Sequence, residues 1–288
     1  MADERHILSR REFTALTVAA GVSAAAGVSA APVTEPIDTD VSVKTPGGVC
    51  DAALVQPQGG GRRPAVIFFP DAFGLRPTMR AMAKRLAIGG YAVLVPNPYY
   101  RSTKAPGIGP GFDFGNPADR AKLDALRAPL TSDAVMQDAA AYVAFLDSHA
   151  GVQPKAKIGV VGYCMGGPMT MQAAAAVPER IGAGASFHGG GLVTDKPDSP
   201  HLLVPKIKAQ FYFGIAANDD EKQPDAKTKL DESFRAAKGS AKIEVYPGTL
   251  HGWCVADMPL VAGKPIYNEP DAERAWHELV TLYKRALV

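Results

Sequence analysis

The stretch that most constrains this chain reads Lys157-Ile158-Gly159-Val160-Val161-Gly162-Tyr163-Cys164-Met165-Gly166-Gly167, followed by Pro168-Met169-Thr170 and an Ala-rich run to Val177. An apolar, β-type run ends at Gly162 and a helix-compatible run starts just after Gly167. Between them stands one cysteine on the pattern Gly-x-Cys-x-Gly-Gly. A strand that passes into a helix in so few residues strains the backbone at its apex, and a Cβ two residues to either side would strike the neighbouring chain. The glycines remove those atoms. The turn then lifts the sulfur clear of the sheet and aims the free N–H groups of the following helix at whatever the sulfur attacks. A cysteine so placed reads as a nucleophile rather than as the small buried hydrophobe that lone cysteines usually are.

The chain around this turn alternates between two periodicities. Runs at 65–69, 91–95, 183–187, 209–215 and 242–246 read as strands. The first is continuously apolar without polar alternation, so both of its faces must be covered, as in the middle of a parallel sheet. Helical patterns fall at 78–88, 119–127, 132–148, 224–237 and 269–287, with Ser132 and Asp133 as candidate caps for the third. Alternation of this kind predicts an α/β fold: a mainly parallel central sheet with helices on both faces. Residues 41–44 and 49–56, around Pro46-Gly47-Gly48, read as an antiparallel hairpin at a sheet edge. Residues 32–40 read as a linker, and 41–288 as one domain. The Pro-, Gly- and aromatic-rich stretch 96–117 is long for a plain connection and reads as a functional loop or lid. The stretch up to Gln223 reads as a polar loop and 256–268 as irregular.

Composition matters mainly for what it excludes. A hydrophobic share of 47% and a charged share of 21% support a substantial core and argue against disorder. A net charge of +2 with no long basic run gives no support for a nucleic-acid partner. Three cysteines are too few for a disulfide framework, though Cys50 and Cys254 could pair in an oxidising compartment. At the N-terminus, Ser9-Arg10-Arg11-Glu12-Phe13-Thr14 precedes a mildly apolar run ending at Ser29-Ala30-Ala31. It resembles a twin-arginine export signal, residues 1–31, which implies passage of the folded precursor through that machinery to a periplasmic or secreted location. The rival reading is a membrane anchor, but the run carries Gly, Ser and Thr and only just reaches spanning length.

In parallel α/β sheets ligands bind at the carboxyl ends of the strands. The elbow strand offers Cys164 there, the 209–215 strand leads to Asn218-Asp219-Asp220, and the 242–246 strand leads to Leu250-His251-Gly252. Nucleophile, acid and base thus follow one another, each at a strand end. His251 can take the thiol proton and return it to a leaving group. An aspartate would fix the imidazole's orientation and stabilise its charged form. Asp219 and Asp220 are both candidates for that acid. His188, after the 183–187 strand, reads as pocket lining in preference to a second catalytic histidine. No His-x-x-x-His or paired-Cys spacing points to a metal.

Four stretches, Phe69-Pro70-Asp71-Ala72-Phe73-Gly74, the Cys164 turn, residues 214–219 and Leu250-His251-Gly252, together resemble the dienelactone hydrolase family of α/β-hydrolases. The resemblance implies a cofactor-free, metal-free hydrolase of small-molecule esters or lactones. It places the family's catalytic triad on Cys164, Asp219 and His251. It places the oxyanion donors on the backbone N–H groups of Ala72 and Met165. Two departures stand out. The family's best-known members have Glu at Asp71, where it contacts the resting thiol. They also carry an arginine for the substrate carboxylate shortly after the histidine, where this chain has Gly252-Trp253-Cys254-Val255. Arg76, Arg101 and Lys104 are the substitutes on offer, and Trp253 with Tyr99-Tyr100 suggests an aromatic pocket wall. Rival readings are a non-catalytic binding protein and a thiol-redox protein on the same scaffold; the second lacks a Cys-x-x-Cys motif.

Overall fold

The computed structural model describes residues 34–109 and 111–287. The expected export signal, 1–31, lies outside the described residues. Eight strands form one sheet in the order β1-β2-β4-β3-β5-β6-β7-β8. β1 (Ile37–Thr45) and β2 (Gly48–Gln56) make the expected antiparallel hairpin, and β2 pairs antiparallel with β4 (Ala92–Pro96). The remaining neighbours, β3 (Ala65–Phe69), β5 (Ile158–Tyr163), β6 (Ile181–Phe187), β7 (Gln210–Ala216) and β8 (Ala241–Tyr246), are all parallel.

The sheet divides the core into two. Ala65, Ile67 and Phe69 of β3 pack on one face with Val143 of α3 (Ser132–Ser148) and Met169 and Ala173 of α4 (Gly166–Ala176). Val66 and Phe68 pack on the other with Met79 and Ala83 of α1 (Pro77–Ile88) and Leu279 and Tyr283 of α7 (Glu269–Ala286). Full burial of each large apolar side chain is worth roughly 1.5–3 kcal/mol, so a strand apolar on both faces is fixed in the middle of the sheet. Cys50 lies in the first cluster and Cys254 in the second; both are free, and the sheet separates them.

Four local features differ from the sequence reading. Residues 37–40, taken as linker, are strand: Ile37 pairs with Gln56 and Asp40 with Ala53. Their acids, Asp38 and Asp40, bind Arg80 of α1, which gives the carboxylates a structural use. The cap of α3 is Thr131, whose hydroxyl accepts from Ala134 N at 3.2 Å, while Ser132 and Asp133 sit inside the first turn. The polar loop after β7 contains a short helix, α5 (Ala217–Lys222), ahead of α6 (Ala226–Ala236). A 3₁₀ turn occupies Pro200–Lys206. Between α1 and α3, α2 (Pro117–Arg127) is capped by Asn116, which ends the long 96–117 stretch.

Candidate active site

The turn after β5 has the geometry that its glycines imply. Cys164 sits at φ 51°, in the left-handed region that costs a side-chain-bearing residue of order 1–3 kcal/mol. Its N–H donates to Phe187 O and its carbonyl accepts from Gly167 N, both at 3.0 Å, which holds the strained residue between β6 and α4. A Cβ on Gly162 would lie 2.0 Å from the Gly166 carbonyl oxygen, and one on Gly166 would lie 2.3 Å from that of Phe69. Either would open the turn.

The base and acid come from the next strand ends. His251 Nδ1 and Asp219 Oδ2 are 2.6 Å apart. α5 starts directly after β7, so its first turn presents two adjacent side chains to the β8 loop. Asn218 Oδ1 accepts from His251 N at 2.9 Å and fixes the backbone, while Asp219 fixes the ring. Asp220 faces away and takes Lys227 Nζ on both oxygens, at 2.6 and 2.7 Å. The contact to His251 therefore belongs to Asp219 alone of the two acids. Burial works against charge on His251, but hydrogen bonds from the ring to Asp219 and to Cys164 outweigh it and raise the pKa to about 10.

His188 lies at the end of β6 with φ 40° and is 1% exposed. Its ring meets His251 edge-on, with centroids 4.8 Å apart, and borders the cavity as expected of pocket lining. One donor atom from each of Cys164, His188 and His251 lies within 4.8 Å of the other two. The three residues leave different strand ends, which is why no ligand motif shows in the sequence. Burial first, and His251 second, push the His188 pKa well below its ordinary value, so this ring is neutral.

Asp71 borders the cavity, and its carboxylate is bonded to groups other than Cys164. Its two oxygens accept from Arg76 Nη1 and Nη2 at 2.6 and 2.9 Å, and Oδ1 also takes Phe73 N at 2.9 Å. The side chain one methylene shorter than Glu is thus held by its own loop, and the expected thiol contact is not among its bonds. Burial pushes its carboxyl pKa up against the pull of Arg76. Arg76 also binds Asp257 through Nε and Nη2, both at 2.7 Å, so two carboxylates occupy it. Arg101 is likewise taken by Asp138 at 2.6 and 2.9 Å, and Lys104 lies 3.8 Å from Asp51. None of the three cations proposed for a substrate carboxylate borders the cavity. Lys222 does, 4.0 Å from Asp219.

The cavity over Cys164 has a volume of about 550 Å³. Its aromatic wall differs from the one the sequence suggested. Trp253 is fully buried and does not line the cavity; it meets His188 edge-on and packs at a tilt on Tyr246. Tyr99 is also buried and donates to Ala72 O at 2.7 Å; Tyr100 donates to Asp138 Oδ1 at 2.8 Å. The wall is made instead by Phe73, Phe112 and Phe114, packed edge to face with centroids 4.9–5.9 Å apart. Phe112 and Phe114 belong to the 96–117 stretch, whose aromatic content was the only sequence signal for them. Met258, Leu260, Val261 and Ile266 close the other side.

Ala72, bordering the cavity, and Met165, next to Cys164, present backbone N–H groups that donate to no other group among the described residues. The pattern of the dienelactone hydrolase family matches residues 50–287. The chain belongs to the dienelactone hydrolase family. Among curated relatives, a protein of Synechocystis provisionally named a carboxymethylenebutenolidase is 28% identical over 241 residues, 81% of this chain and 91% of that one. One of Methylorubrum extorquens with the same provisional name is 28% identical over 96% of this chain and 93% of its own. Among solved structures, a Klebsiella pneumoniae protein provisionally described as a dienelactone hydrolase superposes with a TM-score of 0.75 at 21% identity, covering 88% of this chain and 100% of that one. The dienelactone hydrolase of Anabaena variabilis does so with a TM-score of 0.60 at 18% identity and the same coverage. These likenesses establish the α/β-hydrolase fold, and family membership makes the chain a hydrolase.

Proposed function

We propose that this hydrolase cleaves neutral carboxylic esters or lactones through an acyl-thioester on Cys164. The observation that carries the reading is His251, whose Nδ1 stands 2.6 Å from Asp219 Oδ2 and whose ring nitrogen lies within 4.8 Å of the Cys164 sulfur. The sulfur attacks the carbonyl carbon, and the oxyanion takes the N–H groups of Ala72 and Met165. His251 gives its proton to the departing alkoxide as the C–O bond breaks. It then takes a proton from water, whose oxygen attacks the thioester, and the acid leaves as sulfur regains its electron pair. Tyr99 steadies Ala72 through its carbonyl, and the Asp71 bonds turn the neighbouring Phe73 N–H away from the cavity.

Pocket chemistry supports the substrate class. About 550 Å³ lies within the range that binds small molecules, and the walls are mainly aromatic and aliphatic. Asp113 borders the cavity, and Arg76, which follows the Asp71 loop, is already neutralised by two acids. An anionic substrate would meet repulsion without a dedicated partner, whereas an aryl ester would gain aromatic contacts. A redox role has less support, because Cys50 and Cys254 are each buried in a core and neither can resolve a disulfide at Cys164. The test is a panel of neutral and carboxylate-bearing aryl esters and lactones, with acid-quenched samples mapped by mass spectrometry. Neutral aryl esters should show the higher kcat/KM and leave their acyl group on Cys164. An acyl group on another residue, or turnover of anionic substrates alone, would sink the reading.

The export signal is a proposal from sequence alone. Replacing Arg10 and Arg11 by Lys should leave folded precursor in the cytoplasm; undiminished export of that variant would refute it.

A further inference from the structure

His188 has no account in the reaction just described. Neither ring nitrogen has a hydrogen-bond partner among the described residues, although the side chain is 1% exposed. An imidazole buried in this way is costly, and an apolar residue would fill the place more cheaply. It is also held in a left-handed backbone conformation by its N–H bond to Gly214 O at 2.8 Å. Trp253 packs against the ring at 5.4 Å and Tyr163 at 6.0 Å, which fixes its plane toward His251. An unused nitrogen of His188 thus lies where a thiol and a second imidazole converge, with donor atoms within 4.8 Å of one another, the one such group among the described residues.

One sulfur and two imidazole nitrogens form a donor set suited to Zn²⁺ and other borderline-soft divalent ions. Asp219 takes Nδ1 of His251, which leaves Nε2 as the nitrogen that can turn to a metal. A carboxylate behind a histidine in this way is the outer-shell arrangement usual for metal-bound histidines. The fourth coordination position would open onto the cavity, which these three residues border. We propose that Cys164, His188 and His251 form an inhibitory site for a soft divalent cation such as Zn²⁺. The metal accepts a lone pair from the sulfur and from one nitrogen of each ring. The protons carried by the sulfur and by the ligating nitrogens pass to solvent as the metal binds. At bond lengths of roughly 2.3 Å to sulfur and 2.0–2.1 Å to nitrogen, the donors need to draw in to roughly 3.5 Å from one another. Inhibition rests on Cys164 being the nucleophile; binding does not.

The test uses Co²⁺ as an optical probe on the full chain, with Zn²⁺ affinity measured by competition against a chromophoric chelator. Wild type should bind one Co²⁺ and show a thiolate-to-cobalt charge-transfer band with tetrahedral d–d absorption. Cys164→Ala should abolish that band. His188→Gln should weaken Zn²⁺ binding by at least the 10–100-fold that loss of even an outer-shell partner brings, and His188→Cys should recover it. Zn²⁺ should suppress wild-type ester turnover reversibly, and His188→Gln should need proportionately more metal. X-ray absorption of the Zn²⁺-loaded wild type needs no variant to fold, and should count one sulfur and two imidazoles. A missing charge-transfer band, a single imidazole in that spectrum, or a His188→Gln that binds Zn²⁺ as tightly as wild type would each overturn the proposal. Metal binding with no ester turnover in any condition would leave the site standing and count against the esterase reading instead.

Discussion

Asp219 and Asp220 are neighbours with the same chemistry, and contact alone separates them. Asp219 bonds the ring of His251, while Asp220 is neutralised by Lys227. Asp219→Asn should cut kcat/KM by about 10⁴, the size seen when a triad acid is amidated elsewhere, and Asp220→Asn should change it by no more than a few-fold. The same contact has a pH signature. His251 holds its proton more tightly in the folded chain, with a pKa of about 10, than at its ordinary 6.5. A raised folded pKa stabilises most below the unfolded pKa, and that stabilisation is lost as pH climbs toward the folded one. Denaturant midpoints should therefore fall between about pH 6 and about pH 10, and fall less in Asp219→Asn. The ring is 32% exposed, so solvent screens part of the effect and the decline should be shallow.

At the scale of elements, the loop between β3 and α1 is tied to the loop after β8 by a single guanidinium. Arg76 spans Asp71 and Asp257 and lies over the Phe73 ring at 5.3 Å. That clamp sets the position of Ala72 and of the wall beginning at Met258. Asp71→Asn removes one carboxylate from a buried pair, though Asp257 still holds the arginine. The cost should be about 2–3 kcal/mol, below the 3–5 typical of an abandoned buried charge, or a Tm lowered by about 5 °C or more. Alkylation of Cys164 by iodoacetamide at neutral pH should be unaffected by Asp71→Asn and slowed strongly by His251→Ala. Equal slowing in both would return Asp71 to the activation machinery. These ties also mark where the sequence stops being readable. The central strands β3 and β5 were legible because each is buried on both faces, and Cys164, Asp219 and His251 were legible because each lies in the turn or loop that follows a strand. The Arg76–Asp257 pair joins residues 181 apart, and no local pattern announces it. α5 reads as a turn from its Asn-Asp-Asp-Glu sequence; its contacts with the His251 loop override that preference. Trp253 carried the right composition for a wall but does not line the cavity, since chain order does not tell which side of a turn faces the cavity.

For the molecule as a whole, the sheet is the device that brings distant residues together. Parallel neighbours β3, β5, β6, β7 and β8 end on one side, and their ends deliver Ala72, Cys164, His188, Asp219 and His251 to a single cavity. Two buried clusters, one on each face, hold that edge rigid enough for a left-handed cysteine to persist. The central claim is that this edge works through the sulfur of Cys164. The most direct measurement is the rate of neutral aryl ester hydrolysis by Cys164→Ala, at matched concentration and with a melting temperature confirming the fold. Removal of a nucleophile of this kind elsewhere costs about 10⁶ in kcat, and a loss of about 10⁴ or more is predicted here. A variant that retains turnover within about tenfold of wild type would contradict the account.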